Sequence, residues 1–165
     1  MQETEPTSER ASRVELLAVD PKNLGKVLRL RVGPGKEKFV ADNARSLAEA
    51  YVYPDRAWPR AICVDGEPVG FAMLDVVGPD HPEAEEGRAS YFLWRLMIDA
   101  DHQRRGYGRA AIAALVAYVK TLPDGRDLKT SYVPGEGTPG PFYEGLGFEP
   151  TGEMDDDEVV LSLSW

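Results

Sequence analysis

The sequence predicts an α/β protein with a mixed central sheet covered by helices. The elements are predicted in the order β, α, α, β, β, β, α, β, α, β, β, which is typical of this class. Residues 91–98 are apolar on both faces apart from Arg95, so they predict a strand buried on both sides. The next segment predicts a long helix ending near Lys120, because apolar residues recur at helical spacing: Ile112, Leu115, Val116 and Val119.

Before residue 60 the pattern predicts one strand and two helices. The strand covers residues 14–19, and a helix over residues 23–31 is stopped by the Gly33-Pro34-Gly35 segment. Asn43 is the predicted N-cap of a second helix that ends before Pro54. Because residues 33–59 are rich in glycine and proline, we expect them to form a lid or rim.

The middle of the chain predicts a hairpin that leads into the buried strand. Residues 60–64 and 69–77 are the two strands, and Asp65-Gly66 supplies the tight turn. Residues 78–87 form the loop before the next strand.

The last third predicts three strands and a short helix. A strand over residues 128–133 is followed by a helix over residues 142–146 with Gly147 as its C-cap. Residues 148–153 and 158–165 form the last two strands, and Asp155-Asp156-Asp157 lies in the loop between them.

The turn between the buried strand and the long helix predicts a phosphate site. Gly106 and Gly108 lack the Cβ that would keep an anion from the backbone, and the first N–H groups of a helix are free. Arg104, Arg105 and Arg109 oppose the helix dipole, which is understandable if an anion lies among them. The alternative is a tight turn with solvated arginines.

Composition bounds the class of protein and its partners. The chain has 165 residues with a net charge of −9, which disfavours nucleic acid and anionic membranes. Cys63 is the single cysteine and His81 and His102 are far apart in sequence, so we expect no disulfide and no metal site. Residues 1–10 are polar and are expected to be a flexible N-terminus, followed by one domain over residues 11–165 in a cytoplasmic protein.

Two motifs give the chain a family resemblance. Gln103-Arg104-Arg105-Gly106-Tyr107-Gly108 matches the Q-x-x-G-x-G pyrophosphate motif of the GNAT superfamily of N-acetyltransferases, and residues 142–148 resemble its Y-x-x-L-G-F element. Residues 91–99 and 131–135 look like the bacterial spermidine/spermine or diamine acetyltransferase branch. The resemblance implies a mostly antiparallel sheet with one splayed pair of parallel strands.

The resemblance also implies acetyl-CoA as cosubstrate and direct transfer to an amine. The backbone near Met97 and Ile98 would bind the pantetheine arm, and Tyr143 would protonate the departing thiolate. The alternative for Tyr143 is aromatic packing. The implied pyrophosphate contacts come from the turn and helix start: Gln103, Arg104, Arg105, Gly106, Tyr107, Gly108 and Arg109. Where the superfamily often has an asparagine before the tyrosine, residues 135–140 are rich in glycine.

For the acceptor, carboxylates and aromatic faces suit an alkylammonium chain. We expect its walls at Tyr51, Tyr53 and Asp55 and at Asp155 and Asp156, although a solvated acidic turn is the alternative for the aspartates. The preferred acceptor is a polyamine or diamine. Other acceptors, namely an antibiotic or a protein N-terminus, and a non-catalytic CoA-binding sensor stay open, as does the base. The resemblance implies a possible homodimer.

Overall fold

A computed structural model describes residues 13–165, and the expected flexible N-terminus lies outside these residues. The strands are β1 Val14–Ala18, β2 Ala57–Val64, β3 Glu67–Val77, β4 Ser90–Ile98, β5 Asp127–Tyr132, β6 Glu149–Asp155 and β7 Glu158–Ser164. The helices are α1 Leu24–Arg29, α2 Asn43–Val52, α3 Tyr107–Val119 and α4 Gly140–Gly145, with single 3₁₀ turns at Glu85–Gly87 and Ala100–His102. The order of strands and helices predicted from the sequence is confirmed.

The seven strands form one sheet in the order β1-β2-β3-β4-β5-β7-β6. Every neighbouring pair is antiparallel except β4 and β5, which run parallel. These two strands share only two register pairs, Phe92 with Lys129 and Leu93 with Thr130. The predicted splayed parallel pair is therefore confirmed, and the strands part after Leu93.

Helices cover both faces of the sheet. On one face, α3 buries five residues in the core, namely Tyr107, Ala111, Ile112, Leu115 and Val119. On the other face, Val27 of α1 packs with Ala61, Phe71 and Met73, and Leu47 of α2 packs against the same cluster. Three residues of the predicted stripe, Ile112, Leu115 and Val119, are buried, and Val116 is half-buried against the same cluster. Two apolar clusters thus hold the sheet from opposite sides.

The β2–β3 hairpin has the predicted Asp-Gly turn. Asp65 and Gly66 have φ angles of 51° and 79°, which a two-residue type I′ turn requires. β2 begins at Ala57, three residues before its predicted start. Its pairing with β1 ends at Arg60, so Pro59 lies where β1 needs no N–H donor. β2 therefore includes Pro59, which lies outside the part of the strand that pairs with β1.

Two predicted helix boundaries are corrected. The N-cap of α2 is Asp42, whose carboxylate accepts a hydrogen bond from the Arg45 N–H at 2.7 Å. Asn43 is buried instead, and its Nδ2 donates to the Val27 carbonyl at 2.9 Å, which joins the two helices. α4 begins at Gly140 rather than at residue 142, with a proline in its first turn.

Candidate functional site

A cleft of about 1010 Å³ opens where β4 and β5 separate. The lining includes residues of β4, β5, α2 and α4, of the turn into α3, of the segments between α1 and α2 and after β5, and of the β6–β7 hairpin. The Lys36 side chain links two of these segments, because its Nζ donates to the Gly137 carbonyl at 2.7 Å. The cleft therefore crosses the sheet and is bounded on both faces.

A β-bulge at Trp94 directs two successive side chains of β4 toward the α2 face. Leu93 pairs with Leu74 and Arg95 pairs with Met73, so Trp94 is the extra residue. Trp94 packs against the α1–α2 cluster. Arg95 forms an ion pair with Glu49 of α2, with 2.9 Å between Nη2 and Oε2. The bulge lies one residue beyond the last β4–β5 pair, so it also marks the splay.

The alternation of β4 decides which backbone groups face the cleft. The Asp99 N–H donates to the Val69 carbonyl at 2.8 Å, so every second residue from Asp99 pairs with β3. Met97 is one of these residues and its side chain is buried. The backbone groups of Leu96 and Ile98 consequently point toward the gap left by β5. Of the two residues expected to bind pantetheine, Ile98 has this orientation and Met97 does not.

The turn after β4 is built from left-handed backbone conformations. Arg104 and Gly106 have φ angles of 62° and 79°. α3 begins at Tyr107, and its first backbone bond runs from the Ala110 N–H to the Gly106 carbonyl at 3.0 Å. The N–H groups of Tyr107, Gly108 and Arg109 therefore have no intrahelical acceptor. This arrangement suits a phosphate at the helix N-terminus.

The two glycines of the motif have different roles. Gly106 supplies the positive φ of the N-cap position, which strains other L-residues. A Cβ on Gly108 would lie 3.1 Å from Cζ of Phe142 and 3.9 Å from the Ile98 side chain. The missing Cβ of Gly108 makes room for the Phe142 ring, and the expected contact of this glycine with an anion stays a prediction.

Hydrogen bonds of polar side chains hold the turn into α3 in place. The Gln103 Nε2 donates to the Ile98 carbonyl at 3.0 Å, so this amide contacts the protein backbone. Asp99 accepts bonds from the Arg31 N–H at 2.8 Å and from His102 Nδ1 at 3.2 Å. Burial raises the pKa of Asp99, but these bonds and one from the Asp101 N–H outweigh it, so its pKa is lowered overall.

The three arginines of the turn are exposed, but they are not equivalent. Arg104 and Arg109 line the cleft together with Gln103, Gly106, Tyr107 and Gly108. Arg105 is outside the lining. Tyr107 is 4% exposed, so its ring is part of the α3 core. The side chains that can meet a phosphate directly are therefore Arg104 and Arg109.

Tyr143 lies beneath the splay on the α3 face. It is 6% exposed and forms edge contacts with Phe142 and Phe148, at centroid distances of 5.3 and 5.4 Å. Burial raises the pKa of its phenol to about 12, and a hydrogen bond with Thr130 offsets only part of that rise. The ring packs as the aromatic alternative predicted, yet it also lines the cleft. Tyr143 therefore stays protonated at neutral pH.

Ser131 and Glu158 form a hydrogen-bonded pair on the face of the sheet opposite Tyr143. The Ser131 hydroxyl of β5 donates to Glu158 Oε2 of β7. Both residues line the cleft, as do Asp155, Asp156 and Asp157 of the adjoining turn. Nearby, Arg95 has a buried Nε without a partner, and burial lowers its pKa although Glu49 and Glu158 oppose this. The sequence pattern did not single out Ser131 or Glu158, because only strand pairing brings them together.

The expected acceptor wall on α2 is not part of the cleft. Tyr51 and Tyr53 are 87% and 48% exposed, and Tyr53 lies 6.3 Å from the Trp94 ring. Asp55 forms an ion pair with His81 at 3.1 Å. These three residues are absent from the lining, whereas Asp155 and Asp156 are present. The helical register turns the end of α2 outward, which the sequence pattern does not show.

Two absences concern residues 13–165. No helix in this range is long and apolar enough to cross a membrane. Within the same range, no three side chains of histidine, cysteine, aspartate or glutamate come together as a metal site would require. The only cysteine of the chain, Cys63, is buried.

Comparisons with known proteins agree with this geometry. A sequence model of the Acetyltransferase (GNAT) family matches residues 31–148, which is more than half of the chain. No curated protein sequence matches significantly.

Among solved structures, an acetyltransferase from Thermus thermophilus has a TM-score of 0.66 at 24% identity, covering 92% of this chain and 97% of its own. Arabidopsis thaliana Naa50, in complex with the bisubstrate analogue CoA-Ac-MVNAL, has a TM-score of 0.64 at 18% identity, with coverages of 93% and 99%. The ribosomal-protein-S18-alanine N-acetyltransferase from Escherichia coli has a TM-score of 0.60 at 19% identity, with coverages of 92% and 93%. At these identities the structural likeness establishes the fold.

Proposed function

The chain belongs to the acetyltransferase (GNAT) family, and we propose that it transfers an acetyl group from acetyl-CoA directly to a primary amine of a small cationic acceptor. A polyamine or diamine is the acceptor class proposed here. The observation that carries the proposal is the β4–β5 splay, which opens a cleft that Tyr143 lines.

The residues present suit acetyl-CoA on the α3 face. The free N–H groups of Tyr107, Gly108 and Arg109 offer donors to a pyrophosphate, and the Arg104 and Arg109 side chains add positive charge. Leu96 offers its backbone N–H and carbonyl to an amide-containing arm in the way a neighbouring strand would, and Ile98 offers its N–H, since the Ile98 carbonyl accepts a hydrogen bond from Gln103. When bound, acetyl-CoA supplies the activated thioester, and we expect Tyr143, which lines the cleft, to protonate the sulfur that leaves.

Charge is divided between the two ends of the cleft. Arg104 and Arg109 lie at the α3 end, where the phosphates would bind. The β6–β7 turn at the other end contributes four consecutive carboxylates, Asp155, Asp156, Asp157 and Glu158. Lys36, Lys38, Arg45 and Arg95 also line the cleft, so the division of charge is local: the arginines of the turn into α3 favour an anionic donor, and the carboxylates at the β6–β7 turn favour a cationic acceptor.

An acceptor panel tests the proposal. Spermine, spermidine and putrescine are each offered with acetyl-CoA, and the released thiol is followed with a chromogenic disulfide. Burial raises the pKa of the Cys63 thiol to about 11, so the native protein itself should give little signal. Turnover of any of the three amines is expected. An aminoglycoside and a short peptide with a free N-terminus complete the panel.

The outcomes separate the possible functions. Turnover restricted to the peptide or the antibiotic would overturn the polyamine assignment and keep the enzyme class. Saturable CoA binding by calorimetry without turnover of any amine would instead identify a CoA-binding sensor. Light scattering at two protein concentrations checks the expectation of a homodimer.

A further inference from the structure

We propose that Glu158 is the group that removes the proton from the acceptor ammonium, with Ser131 as the residue that positions its carboxylate. This inference rests on the proposed function and adds the residue that the reaction still lacks. An alkylammonium ion has no lone pair on nitrogen, so a proton must leave before the nitrogen can attack.

Strand register places Glu158 on the acceptor side of the sheet. Ser131 pairs with Val160, and Thr130 pairs with Leu161. Because side chains alternate, Ser131, Val160 and Glu158 share one face, whereas Thr130 and Leu161 face α3 and Tyr143. The Ser131–Glu158 pair and the Tyr143 phenol therefore lie on opposite faces of the sheet, beside the gap between β4 and β5.

The acceptor face also carries charged side chains of β4, α2 and β5. Arg95, turned to this face by the bulge, interacts electrostatically with Glu158, Glu49 and Arg45. Lys129, two residues before Ser131 on β5, lies 4.0 Å from Glu153. Arg95, which is already paired with Glu49, adds a weaker attraction to a negative group at Glu158, and Ser131 sets the orientation of that carboxylate.

The other titratable groups that line the cleft suit this role less well. Glu37, Asp155, Asp156 and Asp157 are exposed on loops or turns, whereas Glu158 is half-buried and fixed to β5. His102 also lines the cleft, but it lies at the turn into α3, with its ring bonded to Asp99. Glu158 is therefore the carboxylate held in one orientation beside the splay.

The proton steps balance with the groups named. Glu158 takes one proton from the ammonium and returns it to solvent. The neutral nitrogen then forms the C–N bond at the thioester carbon, the C–S bond breaks, and Tyr143 gives its proton to sulfur. The second N–H proton passes to Glu158 or to water, and Tyr143 regains a proton from solvent. The net products are an amide, free CoA thiol and one proton.

Glu158→Gln, Ser131→Ala and Ser131→Thr test the proposal, with Glu153→Gln as the matched control. Glu153 lies on neighbouring β6, is exposed and is outside the cleft lining. Its substitution by glutamine therefore removes the same charge from the same end of the sheet. For each variant, kcat/KM for propylamine is measured from pH 6.5 to 10, and acetyl-CoA affinity is measured by calorimetry. Trifluoroethylamine, which is largely neutral at pH 7.5, serves as an acceptor that needs no deprotonation before its nitrogen attacks.

Glu158→Gln is expected to lower kcat/KM for propylamine at pH 7 by roughly 10²-fold, the usual scale of general-base catalysis. The defect should shrink as pH approaches the pKa of the amine, and it should be small for trifluoroethylamine. Acetyl-CoA affinity should not change. Ser131→Ala should give a smaller loss with the same pH pattern, and Ser131→Thr should restore activity.

An equal loss for both amines at every pH would overturn the proposal, because it would indicate a structural role for Glu158. Unchanged activity of Glu158→Gln would overturn it as well. If the unaltered protein acetylates none of the panel amines, nor propylamine or trifluoroethylamine, the proposed function fails, and the role of Glu158 fails with it.

Discussion

The Thr130 hydroxyl donates a hydrogen bond to the Leu93 carbonyl oxygen at 3.1 Å, across the last register pair of the two parallel strands. Beyond this pair β4 bulges at Trp94 and the strands diverge. Thr130 is 1% exposed and also interacts with the Tyr143 phenol. The buried Thr130 hydroxyl thus links Leu93, where the cleft begins to open, to Tyr143, which lines the cleft.

Thr130→Val should lower the free energy of unfolding by about 1–3 kcal/mol, because the Leu93 carbonyl and the Tyr143 phenol lose a buried partner. Urea unfolding measures this change. Thr121→Val is the matched control, since the Thr121 hydroxyl donates to the Tyr118 carbonyl at 2.6 Å in an exposed position. Equal destabilisation by the two substitutions would contradict a special role for Thr130.

Tyr143→Phe should reduce kcat by roughly 10²-fold or more, because the sulfur would leave without a proton donor. The ring contacts with Phe142 and Phe148 remain in this variant, so acetyl-CoA affinity should be nearly unchanged. Stopped-assay kinetics and calorimetry measure the two quantities. Phe142→Leu, which removes an aromatic contact and no hydroxyl, separates loss of packing from loss of the acid; unchanged turnover of Tyr143→Phe would refute its role.

Gly106→Ala should weaken acetyl-CoA binding, because a residue with a Cβ costs about 1–2 kcal/mol in a left-handed conformation and the turn would shift to relieve it. Gly66→Ala is the matched control, since Gly66 has the same φ of 79° and lies in the β2–β3 turn. Both variants should lose similar stability in thermal unfolding. A loss of affinity in both, or in neither, would contradict the assignment of Gly106 to the phosphate site.

The fold was predictable from the sequence because each element carries its own local pattern. The α3 stripe, the Asp65-Gly66 turn and the β4 strand follow from spacing and turn chemistry. Only Tyr91, Leu93 and Met97 of β4 are buried, however, because the strand lines the cleft. The turn into α3 was also predicted from its own residues, whereas Tyr143 was singled out by the family resemblance of residues 142–148. These features are contiguous in the chain, so their signal survives without knowledge of the tertiary structure.

What could not be predicted depends on contacts between distant segments. The room that Gly108 leaves for Phe142 joins residues 34 positions apart, and the Ser131–Glu158 pair spans 27 positions. Asn43 is a residue type that favours the N-cap position. Its side chain is instead buried and bonded to the Val27 carbonyl, and Asp42 caps the helix. The exposure of Tyr51 depends on the packing of α2, which no local pattern records.

Asp99→Asn should flatten the acid limb of the stability curve. The native pKa of Asp99 is lowered, so its carboxylate stabilises the fold above the pKa of the unfolded state, and this contribution is lost as pH falls through the native pKa. Urea unfolding between pH 7 and 3 measures the slope. Asp101→Asn, which removes an exposed carboxylate two residues away, should keep the slope of the unaltered protein. Equal slopes for all three proteins would contradict the prediction.

The Tyr143 phenol should contribute to alkaline unfolding with the opposite sign. Its native pKa is raised to about 12, whereas an unfolded tyrosine titrates near about 10. The folded state therefore keeps its proton longer, and the stabilisation, complete below about pH 10, is lost as pH rises toward the native pKa. Tyr143→Phe should lose less unfolding free energy between pH 8 and 11 than the unaltered protein does. Tyr51→Phe, at a position 87% exposed, should not differ from it; a matching alkaline slope in Tyr143→Phe would show that the buried phenol does not hold its proton in the native state.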